Sequence, residues 1–356
     1  MSVISRLYRG ETHFDFVRVS RTTLRVSLVA VAASLLIMLV RPFNLSIDFT
    51  GGVIVTVPGQ NGATVEDIRA DLRDIGHGDA RVQIAQDGLD ETRPPTVTVQ
   101  TEAIEDPDEQ DLLVATVAES AGSNVDDANI SAVGPTFGHE VTRAAIEALV
   151  VFLIVVVLFI TWRFEWKMAI AALAALFHDL IITGGIYALV GFVVTPSTII
   201  AVLTILGYSL YDTVVVYEKV KENEHQLHTK TTFSAITNLS MNQVLMRSIN
   251  TSLTSLLPVG SLLVVSVLAI GAETLKEFAL ALFIGIAIGT YSSIFVAAPI
   301  LARWKEQEPA WERQRRRASR EGEDPEVTQA DIAEKALTPD VPKAAARPPK
   351  QRRKRR

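Results

Sequence analysis

The sequence predicts a polytopic α-helical membrane protein of six spans, carrying one α+β domain of ferredoxin-like type outside the bilayer. Three observations predict it. Charged residues make up 21% of the chain, against about 25% in an ordinary soluble domain, while 48% of residues are hydrophobic. The charges are gathered between apolar runs, six of which approach or exceed the roughly 18 residues that a membrane span needs. Between the first two runs lies an acidic stretch, with 19 Asp or Glu against 4 Arg over residues 42–140, in which strand-like and helical patterns alternate.

Each element follows from its local pattern. Residues 1–21 hold Arg6, Arg9, Arg18 and Arg21, and 22–40 is the first span. A cleaved signal peptide would need a small-x-small site, whereas this run ends Val40-Arg41-Pro42-Phe43. Residues 41–140 are the outer domain. Within it, 53–57 is a β-branched run and 64–76 opens on a Thr cap and reads helical. Residues 81–85 and 96–101 read as strands, 106–121 as a helix with an acidic first turn, and 129–133 as a last strand. The order βαββαβ is the split arrangement that lays both helices on one face of an open sheet. Further spans fall at 141–162, 168–190, 196–217, 249–271 and 277–302, with an amphipathic cytoplasmic segment at 218–248. The tail, 303–356, mixes Pro, Ala and charge, ends Lys350-Gln351-Arg352-Arg353-Lys354-Arg355-Arg356, and reads as disordered. That basic end could touch anionic headgroups of membrane lipids or ribosomal RNA, but a solvated charge run explains it, and a nucleic-acid partner is not expected.

Lys and Arg near the span ends set orientation. The arginines before residue 26, Arg163 with Lys167, Lys219, Lys221, Lys230 and Arg247, and the tail all fall on one side, read as the cytoplasm. Both termini are then inside and residues 41–140 outside. The absence of cysteine excludes disulfides, thiolate metal sites and cysteine nucleophiles. The six histidines lack the paired spacing of a zinc site, and no phosphate loop, dinucleotide fingerprint or His-Glu-x-x-His motif occurs. No enzyme, cofactor or metal is expected.

The candidate chemistry lies inside the membrane. Asp212 within the fourth span costs about 2.5–3.5 kcal/mol on insertion scales, so something must offset or use it. Thr204, Tyr208 and Asp212 recur at intervals of four, with Ser209 beside them. The fifth span offers Arg247, Asn250, Thr251, Thr254 and Ser255 as a facing polar stripe. A carboxylate among hydroxyls in low dielectric changes its proton occupancy as a cation approaches or retreats, which makes Asp212, Arg247, Tyr208 and Thr251 proton-relay candidates. A permanent bridge from Asp212 to Arg247 is the competing reading. His178 and Asp179 in the third span form a second candidate relay, or else a hydrogen-bonded core pair. Gly285, Gly289 and Ser293 repeat every four residues and permit close helix approach. Phe49, Gly51 and Gly52 at one junction of the outer domain, with Gly134, Pro135 and Gly138 at the other, are hinge candidates or ordinary turns.

Three segments carry a resemblance: Asp48-Phe49-Thr50-Gly51-Gly52, Val133-Gly134-Pro135-Thr136-Phe137-Gly138-His139-Glu140 and the run from Gly207 through Tyr208, Ser209, Leu210, Tyr211, Asp212 and Thr213. With Asn250-Thr251-Ser252-Leu253-Thr254 and residues 285–293, the chain resembles the SecF subunits of the bacterial SecD/SecF protein-export complex over about 12–304. The resemblance implies an RND-like half-bundle in the cell membrane that joins SecD as a heterodimer beside the SecYEG channel. It extends the expected partners to a YidC-like insertase and to unfolded preprotein as substrate. It also implies that Asp212 and Arg247 form a proton path and that the outer domain moves to draw preprotein out. Tyr211 stands where the family usually has Asn. An RND-type exporter of lipids or small molecules is the alternative, although it would need larger, duplicated outer domains. A membrane scaffold is a third reading, under which Asp212 should be replaceable.

Overall fold

The computed structural model describes residues 14–60, 64–85, 94–104, 106–227, 231–270 and 273–321. The arginines at 6 and 9, Lys230 and the basic end beyond 321 lie outside the described residues. Six helices among those described are long and apolar enough to cross a membrane.

The first, α1 (Phe16–Val40), starts on Asp15, whose carboxylate accepts the Arg18 backbone N–H at 2.8 Å. It stops because Pro42 pushes Arg41 into extended conformation, φ −119° and ψ 104°. After β1 (Asn44–Leu45) and the single turn α2 (Ile47–Thr50), the chain enters the outer domain.

That domain is built from β2 (Gly52–Pro58), α3 (Val65–Asp74), β3 (Arg81–Ala85), β4 (Thr96–Thr101), α4 (Pro107–Ser120) and β5 (Asn129–Val133). Thr64 caps α3 and Asp106 caps α4, each side chain accepting a first-turn N–H. The sheet order is β3-β4-β2-β5, antiparallel throughout, with Val55 opposite Val99 on one side and Ile130 on the other. This is the ferredoxin-like ladder. Val53, Val55, Val57, Val97 and Val99 alternate onto one face and close against Ile68 and Leu72 of α3 and Leu113, Val114 and Val117 of α4.

The remaining spans are α5 (Pro135–Arg163), α6 (Trp166–Val190), α7 (Pro196–Leu227), α8 (Phe233–Val265) and α9 (Glu273–Ser292), the last running through a π-turn at Ser293–Ala297 into α10 (Ala298–Lys305). Pro299 lacks the N–H that an unbroken helix would need there, and the wider turn accommodates it. Between α6 and α7, β6 (Val193–Val194) pairs in parallel with β1, Asn44 opposite Val193.

Two expectations change. Residues 218–248 are not a separate amphipathic segment: α7 continues to Leu227 and α8 begins at Phe233, because the buried Tyr217, Val220 and Leu227 pack against Phe233 and Ile236 in one core. Nor is the tail wholly irregular. Residues Pro309–Glu321 form α11, whose Trp311 is 1% exposed and meets the Phe233 ring edge-on at 5.2 Å. Lys305, nearly buried, bonds Glu165 at 2.6 Å and Glu224 at 3.5 Å, fastening α10 to the ends of α5 and α7.

Candidate intramembrane carboxylate site

Close backbone approach creates the site. Gly285, Gly289 and Ser293 face Ile205, Ser209 and Thr213 of α7 in matched steps of four. A Cβ on Gly285 would fall 2.6 Å from the Ile205 Cγ1, and one on Gly289 would lie 3.0 Å from the Ser209 Cβ. With only hydrogens there, α9 and α7 touch and bring the Ser209 and Ser292 hydroxyls together at Asp179.

Asp179 on α6 is 1% exposed and fully engaged. One oxygen accepts from Ser209 at 2.7 Å and from Ser292 at 2.8 Å, while the other lies 3.0 Å from the His178 Nδ1. His178 in turn stacks on Tyr291 at 6.2 Å. Asp212 on α7 is 4% exposed and differently placed. Ser248 of α8 donates to one oxygen at 2.7 Å, and the other oxygen is buried without a partner. Nearby, Thr213 donates to Ser293 at 3.0 Å and Thr290 lies 2.8 Å from the Ser252 hydroxyl, so serines and threonines fill the space between α7, α8 and α9.

Several candidates sit elsewhere than the sequence suggests. Arg247 is exposed and donates to the Tyr211 hydroxyl at 3.0 Å, so in place of the competing Asp212 to Arg247 bridge Asp212 has the Ser248 contact. Thr251 points away and bonds the Arg247 carbonyl at 2.8 Å; Ser248 and Ser252, one residue off on the helical wheel, hold the inward face. Tyr208 is half-buried with its hydroxyl unpartnered. Polar residues fall on more than one side of α8, so spacing alone could not select Ser248. A further stripe escaped the sequence reading altogether: Ser20, Ser27 and Ser34, seven apart and all buried on α1, with Ser27 3.1 Å from the Tyr291 hydroxyl. Its heptad period was the available signal.

The junction candidates interlock. Gly51 and Gly52 have φ of +71° and +139°, a region open to glycine, and a Cβ on Gly51 would stand 2.9 Å from the Pro135 Cα. A Cβ on Gly138 would meet the Phe49 carbonyl oxygen at 2.6 Å. Asp48 accepts from Ser46 at 2.9 Å at the start of α2, while Gly134 has open space around it and Glu140 is exposed.

This chain matches the family model "Protein export membrane protein SecD/SecF, C-terminal" over residues 113–307, and the "SecD/SecF GG Motif" over 36–63, the segment that holds Gly51 and Gly52. The chain belongs to the SecF family. Among SecF relatives, the protein translocase subunit SecF of Mycobacterium tuberculosis is 43% identical over 86% of this chain and 70% of its own length. That of Streptomyces coelicolor is 39% identical over 86% of this chain and 80% of its own. The crystal structure of SecDF from Thermus thermophilus, described as a translocon-associated membrane protein, superposes with a TM-score of 0.73 at 33% identity. The match covers 84% of this SecF-family chain and 39% of that one. The chain is a multi-pass membrane protein with a SecF-type core.

Proposed function

We propose that this chain is a proton-driven accessory subunit of a protein-export translocase, working with a SecD-type partner beside a SecYEG channel. The observation that carries the reading is the asymmetry between the two buried carboxylates. Asp179 has three partners, the donating hydroxyls of Ser209 and Ser292 and the His178 Nδ1, and serves as an anchor. Asp212 keeps one oxygen without a partner, so it can take up a proton without breaking any bond it already has. Protonation turns that oxygen from an orphan acceptor into a donor, which favours a different packing of α7 against α8. Each proton crossing a 100 mV potential releases about 2.3 kcal/mol, close to a fiftyfold shift in a two-state equilibrium.

A partner is called for by the outer face of α7 and α8. Tyr211 is 51% exposed, and Arg247, Asn250 and Thr254 are also exposed at positions within membrane-length helices. Polar groups on a helix face of this kind are not satisfied by lipid, so another polar surface is called for to cover them. A SecD-type half-bundle is the natural cover, since the SecDF relative carries more chain than the part this one matches. The termini are cytoplasmic in this reading, the outer domain works on emerging preprotein, and the interlocked Phe49, Gly51, Pro135 and Gly138 transmit helix motion to it. A YidC-like insertase is a further candidate neighbour.

The test is precursor export into vesicles under an imposed proton gradient. Asp212→Asn should insert and co-purify with its partner yet lose gradient-dependent export. An active Asp212→Asn protein would overturn the reading.

A further inference from the structure

A large apolar cavity lies away from the carboxylates. It has a volume of about 590 Å³, walled by Met38 of α1, Ile146 of α5, Leu180 of α6 and Val202 of α7, and capped by Phe43 and Phe49. That size falls within the roughly 300–1,000 Å³ of small-molecule sites. Its walls are almost wholly hydrocarbon. Of the hydroxyls lining it, Thr142 donates to the Gly138 carbonyl at 2.9 Å, Thr198 lies 3.1 Å from the Thr195 hydroxyl, and Tyr187 donates to the Glu277 carbonyl at 3.4 Å. Water does not settle in an apolar cavity of this kind, because it finds no partners there.

The surroundings identify the occupant. The helices on either side turn bare hydrocarbon outward, with Leu36 62% and Leu39 83% exposed on α1 and Ile146 58% exposed on α5, so the medium beside the gap is lipid. The cavity also sits at a membrane edge, where α1 ends at Val40 and α5 becomes apolar after Arg143. Two exposed arginines are close in the chain to lining residues: Arg41 comes three residues after Met38 and donates to the Leu189 carbonyl at 2.9 Å, and Arg143 comes next after Thr142 and pairs with Glu147 at 2.7 Å. A guanidinium has five N–H donors, so each arginine retains donors for a phosphate.

We propose that this cavity binds one acyl chain of a bilayer phospholipid, with the headgroup phosphate held at Arg41 and Arg143. The chain packs against Phe49 and so props the joint between the spans and the outer domain, a role separate from that of Asp212.

Photolabelling of the purified full chain tests it, in phosphatidylglycerol bilayers containing a phospholipid with a diazirine on one acyl chain. Peptides covering 38–49 and 142–149 are compared with the outer face of α1 at 26–36. Labelling of the cavity peptides should exceed that of the outer face, and should fall by about fivefold in Ala145→Trp, whose ring takes up the volume. Val202→Phe is a second filling variant should the first fail to fold, and Arg41→Gln with Arg143→Gln should weaken labelling. Several outcomes overturn the proposal. They are equal labelling in a folded filling variant, label confined to the outer faces, preference for a diazirine fatty acid over the phospholipid, or loss of cavity label in native membranes, where a partner's helix would then fill the gap.

Discussion

Asp179 and Asp212 are both carboxylates sealed among serines, and what separates them is how many donors each receives. Replacing Asp179 by Asn keeps one accepting oxygen and turns the other into an N–H₂, so either the Ser209 and Ser292 hydroxyls or the His178 Nδ1 loses the carboxylate oxygen that meets it. We expect Asp179→Asn to lose about 1–3 kcal/mol, read as a lowered thermal midpoint in detergent. Asp212→Asn should stay within about 1 kcal/mol of the parent, because only Ser248 bonds it and the amide oxygen can still accept. Equal destabilisation by the two would mean that both aspartates are structural. At this scale the sequence marked both residues, since an acid within an apolar run is conspicuous, but the inward hydroxyls were hidden in a helix with polar residues on more than one side.

Between elements, the strongest constraint is the absence of side chains. The contact of α9 with α7 depends on Gly285, and Gly285→Val should force the helices apart, costing about 1–3 kcal/mol through overpacking. The change should also disturb the Asp179 network, which that contact assembles. Gly138→Ala presses on the Phe49 carbonyl in the same manner, and should weaken the joint between outer domain and membrane while the domain itself stays folded. Helix α11 is held by one large anchor. Trp311→Ala should release it locally, and trypsin cutting after Arg313 or Arg315 should become rapid with no change in the main thermal transition.

For the whole molecule, orientation is the open quantity, and the chain has no cysteine of its own to confuse the measurement. Gly78→Cys on the outer domain should react with an impermeant maleimide in intact cells, whereas Glu306→Cys should react only after the membrane is broken. The Lys and Arg distribution sets this expectation. The reverse pattern would invert the topology and, with it, the direction in which protons reach Asp212.

The sequence by itself determined the six apolar helices, the βαββαβ domain and the family motifs, because each rests on a local period or on a short run of residues that chain neighbours dictate. Caps at Thr64 and Asp106, and the glycines at 51 and 52, are of the same local kind. The tertiary structure alone decided that Ser248 and not Arg247 meets Asp212, that Asp179 has partners on both oxygens, that α7 runs to Leu227 and α8 starts at Phe233, and that Trp311 docks. Each of these depends on which side of a helix faces which neighbour, and a helix with polar groups on several sides leaves that rotation open. Only the packing of glycine 285 against Ile205 and of Tyr217 against the Phe233 layer fixes it.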